Sequence, residues 1–197
     1  MLFETPINLN LKDSDIVYHP NFFNKKQADI YFDQLDKKID WQQDTITVFG
    51  KTHLQPRLTA FFADNNKSYK YSNIIMKPNS FNKELLGIKR MVESQLNTRF
   101  TSCLANLYRH GQDSNGWHAD NEKELGDQPI IASVSFGAER IFQLKHRYQK
   151  ALKAKINLLH GSLLIMKGET QKFWLHQIPK TSKHVGKRIN LTFRIIA

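Results

Sequence analysis

Only one of the 197 residues is a cysteine, Cys103. A lone thiol closes no internal disulfide, and it cannot supply a zinc site built from several cysteines. Long apolar runs are missing as well. None approaches the roughly 18 residues that a membrane span needs. The opening stretch, MLFETPINLNLKDSD, lacks the basic start and apolar core of a secretory signal. There is no internal repeat and no low-complexity linker. The expectation from these absences is a protein of a reducing cytoplasm, or of the nucleus in a eukaryote, with no membrane anchor. Hydrophobic residues make up 40% of the chain and charged residues 24%, which places it among globular proteins. Its length suits one domain with a real core.

Acidic side chains are the scarcer charge. Lys and Arg number 29 against 18 Asp and Glu, for a net charge of +11. The excess is uneven. Residues 51–100 hold nine basic and three acidic side chains, and residues 151–197 hold nine and one. If these segments meet in the fold, they form a surface that attracts phosphates.

Two segments read as helices. Residues 25–39 place Ala28, Phe32, Leu35 and Ile39 at helical spacing behind Asn24 as N-cap. Residues 82–97 place Leu85, Ile88, Val92 and Leu96 likewise. Between them lie short β-like runs, TITVF, RLTAFFA and NIIM. From about residue 103 the chain becomes a series of short strands punctuated by glycine: CLANLYR, IIASVSF, RIFQLKH, SLLIMKG, KFWLHQI and RINLTFRII. Two helices followed by a run of strands predict an α+β fold, a β-sandwich or jelly roll backed by helices.

The last strand carries the first chemical signal. Side chains alternate along a strand, so Arg188, Asn190, Thr192 and Arg194 share one face, and Ile189, Leu191, Phe193 and Ile195 the other. The apolar face belongs in a core. The polar face is either solvated, the commoner case, or it lines a pocket where two arginines need anions. A small dicarboxylate would offer one anionic end to each guanidinium. A second signal is Trp117-His118-Ala119-Asp120, where a nitrogen and an oxygen ligand point the same way on an extended segment. His176 is the best-placed third ligand. His160, before Gly161 at a turn, reads as structural, and His184, in a Lys-rich loop, as solvated. Two histidines and one carboxylate on one face of an octahedron are the ligand set of non-heme iron(II) oxygenases.

These residues, with their order and spacing, resemble the AlkB family of alkylated-nucleic-acid dioxygenases, and most closely its double-strand DNA repair type. The resemblance runs from about Phe49 to Ile196. It is carried by Asn106-Leu-Tyr108, His118-x-Asp120-x-Glu122, Pro129 to Gly137, His160 to Met166, His176 and Arg188-x-Asn-x-Thr-Phe-Arg194. The resemblance implies a double-stranded β-helix (jelly roll, cupin-like) core with supporting N-terminal helices and a β-hairpin nucleotide-recognition lid. Residues 1–197 would form a single catalytic domain. About 1–100 would carry the helices and lid, and about 101–197 the jelly-roll core.

It further implies that His118, Asp120 and His176 hold Fe(II), with 2-oxoglutarate and dioxygen as co-substrates. Arg188 would pair the distal carboxylate of 2-oxoglutarate, helped by Tyr108 and Asn190. Arg194 would hold the carboxylate beside the ketone, with Asn106 nearby and Thr192 on the same strand face. The implied reaction oxidises an N-methyl group on a base such as 1-methyladenine or 3-methylcytosine and releases formaldehyde. Phe49, followed by Gly50 and Lys51, would wedge into the gap left by a flipped base. Arg57, Tyr69, Tyr71 and Ser72 belong to the implied lid, with Tyr71 and His118 on opposite sides of the base. Glu122 would read the base edge. Family members often carry an acidic residue just before it, where this chain has Asn121, which bears on lesion preference. Residues 145–150 would meet phosphates. The expected partner is alkylated DNA, with RNA or single strands as the alternative polymer. No obligate protein partner is expected, and the chain is read as a monomer. Rival readings are an oxygenase acting on a protein or small molecule, and a non-catalytic jelly-roll module that binds nucleic acid.

Overall fold

A computed structural model describes residues 5–48, 51–64, 69–71 and 74–196. The chain runs β1 (Ile7–Asn8), β2 (Asp15–His19), α1 (Lys25–Lys38), β3 (Thr45–Val48), β4 (Lys51–Leu54), β5 (Leu58–Ala63), β6 (Tyr69–Tyr71), β7 (Ile74–Met76) and α2 (Lys83–Leu96). There follow β8 (Ser102–Tyr108), β9 (Asn115–His118), a 3-10 turn (Lys123–Leu125), β10 (Ile131–Gly137), β11 (Arg140–His146) and β12 (Lys153–Leu158). The last elements are β13 (Ser162–Lys167), α3 (Thr170–Phe173), β14 (Trp174–Ile178) and β15 (Arg188–Arg194).

The two long helices begin where the sequence places their caps. Asn24 Oδ1 accepts the Gln27 N–H at 2.9 Å, and Gln27 Oε1 accepts the Asn24 N–H at 3.2 Å, a reciprocal capping box. Asn82 caps α2 by accepting the Leu85 N–H at 2.9 Å. That helix stops at Asn97, whose φ of 47° is left-handed. Ala28, Leu35 and Ile39 from the first helical segment and Leu85, Ile88 and Val92 from α2 enter one buried cluster. Across from them lie Ile189, Leu191 and Phe193 of β15. The helices thus cover the outer face of a seven-stranded sheet of order β1-β2-β13-β10-β15-β8-β5.

A four-stranded sheet, β12-β11-β14-β9, faces its other side. Phe142, Leu144 and Ile178 of that sheet pack with Tyr108, Leu164 and Met166 of the larger one. This is the antiparallel jelly roll the strand pattern predicts. The turn into β13 depends on Gly161, whose φ is +79° and whose added Cβ would lie 2.7 Å from the Phe23 carbonyl oxygen. Two small hairpins, β3–β4 and β6–β7, form separate two-stranded sheets.

The structure adds to the sequence reading at two places and differs from it at one. Residues 1–40 contribute β2, which pairs with β13 in the register Leu164↔Tyr18. Strands from both halves of the chain share the larger sheet, since β5 pairs with β8. The run KFWLHQI is not all strand: α3 extends through Phe173, and β14 starts at Trp174. No helix among the described residues is long and apolar enough to cross a membrane.

Candidate active site

Every residue of β15 is buried, so its polar face is enclosed between the two sheets. Register sets Arg188 opposite Tyr108 and Asn190 opposite Asn106. Directly opposed residues of an antiparallel pair project to the same side. One cavity is therefore lined by Asn106, Tyr108, Arg188, Asn190, Thr192 and Arg194. Their amides and hydroxyls are mutually fixed. Asn190 Nδ2 donates to Ser133 Oγ at 2.8 Å and to the Val134 carbonyl at 3.1 Å. Thr192 Oγ1 donates to Asn190 Oδ1 at 3.1 Å.

The smaller sheet supplies the facing wall. His176 in β14 sits opposite His118 in β9, with ring centroids 4.2 Å apart. The ligand atoms of His118, Asp120 and His176 all lie within 4.8 Å of one another. Phe142 stacks on His176 at 5.1 Å and fixes its plane. His118 Nδ1 is 2.7 Å from the Gly116 carbonyl oxygen, which can only accept. The proton therefore sits on Nδ1, and Nε2 keeps its lone pair for the triangle. The β9–β14 register slips between His176 and Ile178. This bulge brings Asn115 to the same cavity wall as His118, and Asn115 Nδ2 lies 3.2 Å from His118 Nε2.

The charge states suit a cation. Burial alone would raise the Asp120 carboxyl, but Arg194, His176 and His118 outweigh it and hold the group below the ordinary range. Arg194 Nη2 donates to Asp120 Oδ1 at 2.8 Å. Burial, reinforced by His118, pushes His176 down to about 3, while Asp120 pulls the other way. Below the ordinary histidine value of 6.5, the unfolded chain binds a proton that the folded chain refuses, so stability falls with falling pH. The depressed Asp120 adds loss in the same direction below 3.8. Thermal midpoints measured in chelator should decline from pH 6.5 downward, and His176→Phe should flatten the upper part of that decline. An equal slope in both proteins would refute this account.

Arg188 tests the fit to a dicarboxylate. Its guanidinium is 1% exposed. Nη2 donates to Ser135 Oγ at 2.9 Å and Tyr108 also engages the guanidinium, while Nε and Nη1 make no hydrogen bond of good geometry. Burial drives its pKa down to about 10 against the pull of Tyr108, whose ring lies 5.1 Å away. A buried guanidinium with two nitrogens short of well-placed acceptors in a polar cavity fits a carboxylate placed there. The His/Asp/His donor set fits Fe(II).

Other expected site residues fall in different places. Arg57, expected at the nucleotide, is 4% exposed. Its Nε donates to Asn106 Oδ1 at 2.7 Å, so it braces the cavity wall. Glu122 is half-buried and precedes the 3-10 turn. Lys51 opens β4, while Tyr69 and Tyr71 bound β6. Phe49, Gly50 and Ser72 lie outside the described residues. Within the basic run 145–150, His146 is buried and bonded to Asp13 at 3.2 Å, and Lys145 lies over the Trp117 ring at 4.3 Å. His160 is structural: its Nδ1 accepts the Gly137 N–H at 2.7 Å. His184 is exposed. Sequence reasoning missed Asn115 and Phe142, which line the cavity. Asn115 shares the short His118 run, but only the bulge turns it inward.

The comparisons agree with this geometry. The family model described as 2OG-Fe(II) oxygenase superfamily matches residues 15–194. A Bos taurus protein named alpha-ketoglutarate-dependent dioxygenase alkB homolog 3 is 42% identical over 186 residues, covering 90% of this chain and 64% of that protein. This chain thus spans slightly under two thirds of that relative's length. DNA oxidative demethylase ALKBH2 of Arabidopsis thaliana is 39% identical over 214 residues, covering 93% and 67%. The Homo sapiens protein of that name is 35% identical over 184 residues, covering 88% and 70%. Among solved structures, that of OsALKBH1 superposes with a TM-score of 0.67 at 17% identity, covering 97% of this chain and all of that one, a likeness of fold. With the superfamily model spanning nearly the whole chain, relatives of this similarity, and the triangle and arginines set in one jelly-roll cavity, the chain belongs to the 2OG-Fe(II) oxygenase superfamily and, within it, to the AlkB family.

Proposed function

We propose that this chain is an Fe(II)- and 2-oxoglutarate-dependent dioxygenase that removes N-alkyl groups from bases such as 1-methyladenine and 3-methylcytosine in DNA. The observation that carries the reading is the single cavity in which His118, Asp120 and His176 face Arg188, two of whose nitrogens lack well-placed acceptors. His118, Asp120 and His176 would hold the iron, and Arg188 with Tyr108 would hold the distal carboxylate of 2-oxoglutarate. Bound there, Fe(II) and 2-oxoglutarate would activate dioxygen, the oxidant: one oxygen atom would go to the N-alkyl carbon as a hydroxyl and the other to succinate, as 2-oxoglutarate gives up two electrons and loses carbon dioxide.

The chain's own residues bind, orient and exclude water. Arg194 keeps Asp120 anionic and turned toward the triangle. Phe142, Leu158, Met166 and Ile178 give the cavity dry walls. No protein group need act as nucleophile or general base, because the hydroxymethyl product breaks down to formaldehyde and the free base nitrogen. A polyanionic substrate agrees with the +11 charge. DNA agrees with the demethylase name of the ALKBH2 relatives. A duplex preference would rest on Phe49 in the short stretch between β3 and β4, whose register runs up to Val48↔Lys51.

Matched single- and double-stranded DNA and RNA oligonucleotides carrying 1-methyladenine test this reading. Formaldehyde release that requires both Fe(II) and 2-oxoglutarate is the expected result, with DNA above RNA. A faster duplex that loses its advantage in Phe49→Ala would support the wedge. Succinate formation without release from any oligonucleotide would leave an oxygenase of another substrate class.

A further inference from the structure

We propose that Gln171 is a positioning residue for the metal site, tying the backbone of one metal ligand to the segment that carries another. The inference rests on the reading of His118, Asp120 and His176 as the Fe(II) ligands. Strand β9 ends at His118, and residues 119–122 belong to no regular element. The Asp120 N–H therefore has no ladder partner, although Asp120 is only 2% exposed. A buried N–H without an acceptor is costly, and here the acceptor is a side chain. Gln171 Oε1 accepts it at 2.9 Å, across 51 residues of sequence.

The place of Gln171 gives this bond its meaning. It sits in the single turn of α3, which leads directly into β14 and reaches His176 five residues later. The side chain is itself buried, at 1% exposure. Its Nε2 meets the Met166 sulfur at 3.6 Å, so the carbonyl end is directed at Asp120. The turn is held from two sides. Thr170 Oγ1 donates to the Lys167 carbonyl at 2.6 Å and accepts the Asp15 N–H at 2.9 Å. Arg147 Nη2 donates to the Gln171 carbonyl oxygen at 3.4 Å. A rigid turn thus fixes the Asp120 main chain, while Arg194 fixes its carboxylate at 2.8 Å. One group sets where Asp120 stands and the other sets how it is rotated. Together they hold its oxygen at a set distance from His176. Partners of metal ligands of this kind alter metal affinity about 10–100-fold when removed.

The test compares Gln171→Leu, which keeps the volume and loses the acceptor, with Gln171→Glu, which keeps an acceptor oxygen. Mn(II) dissociation constants are measured by calorimetry well below the unfolding temperature of each protein, with Asp120→Ala alongside. The expected result is weakening of about tenfold or more in the Leu variant and retention within about threefold in the Glu variant. Native circular dichroism is expected in both. Wild-type Mn(II) affinity in the Leu variant, with a lowered thermal midpoint, would overturn the proposal and leave Gln171 a packing residue. Failure of the Glu variant to retain binding would also overturn it. If Asp120→Ala binds Mn(II) like wild type, the metal site itself is misassigned and the proposal falls with it. The Asp120 control therefore separates the two failures.

Discussion

Arg188→Met is expected to make the protein more stable and a poorer binder of 2-oxoglutarate at once. The guanidinium is fully enclosed, and its Nε and Nη1 make no hydrogen bond of good geometry. A buried charge in that state costs free energy that only an anionic ligand repays. Methionine has a similar reach and no charge to desolvate. Replacing buried charges with apolar side chains stabilises by about 1–4 kcal/mol in favourable cases. For a chain of this length that is a rise of several degrees in thermal midpoint, at about 2–4 °C per kcal/mol. A charged hydrogen bond is worth about 1.5–3 kcal/mol, so losing a bidentate pair should raise the KM for 2-oxoglutarate roughly a hundredfold or more. Scanning fluorimetry and succinate assays read the two effects. A lowered midpoint with unchanged KM would show that Arg188 is structural and that the dicarboxylate sits elsewhere.

Asp120→Ala is expected to abolish turnover, by about a thousandfold or more, the equivalent of ~4 kcal/mol. It is also expected to destabilise the fold, because buried Arg194 would lose its carboxylate partner at 2.8 Å. Breaking one partner of a buried pair costs about 3–5 kcal/mol, or on the order of 10 °C in midpoint here. The double variant Asp120→Ala with Arg194→Met separates the two losses. Removing the Arg194 charge as well should restore much of the midpoint, while turnover stays absent. If the single variant keeps turnover, the metal assignment is wrong. If the double variant stays as unstable as the single one, the 2.8 Å pair is not what Asp120 contributes to folding.

Much of this site could be read from local pattern. Period-2 alternation put Arg188, Asn190, Thr192 and Arg194 on one face, and the enclosed β15 carries that face into the cavity. The His118-x-Asp120 spacing brought two candidate ligands together, and the register His176↔His118 supplied the third. The helices were legible because their caps are short-range: the Asn24–Gln27 box spans three residues. Basic residues were less legible, because charge composition does not say which groups are already engaged. Arg57 bonds Asn106, and His146 lies buried among aromatic rings next to Asp13.

Local pattern was enough for the helices, the strand-rich second half and the residue types of a candidate metal and dicarboxylate site. Those features follow from steric periodicity and from ligand chemistry, which act over a few residues. Only the tertiary structure decided how separate segments complete one another. It paired β2 with β13, turned Asn115 inward through a bulge, and set Gln171 against Asp120 across 51 residues. No periodicity encodes such contacts. They arise because buried N–H groups, carboxylates and guanidinium groups must each find a partner, and packing alone determines which one is within reach.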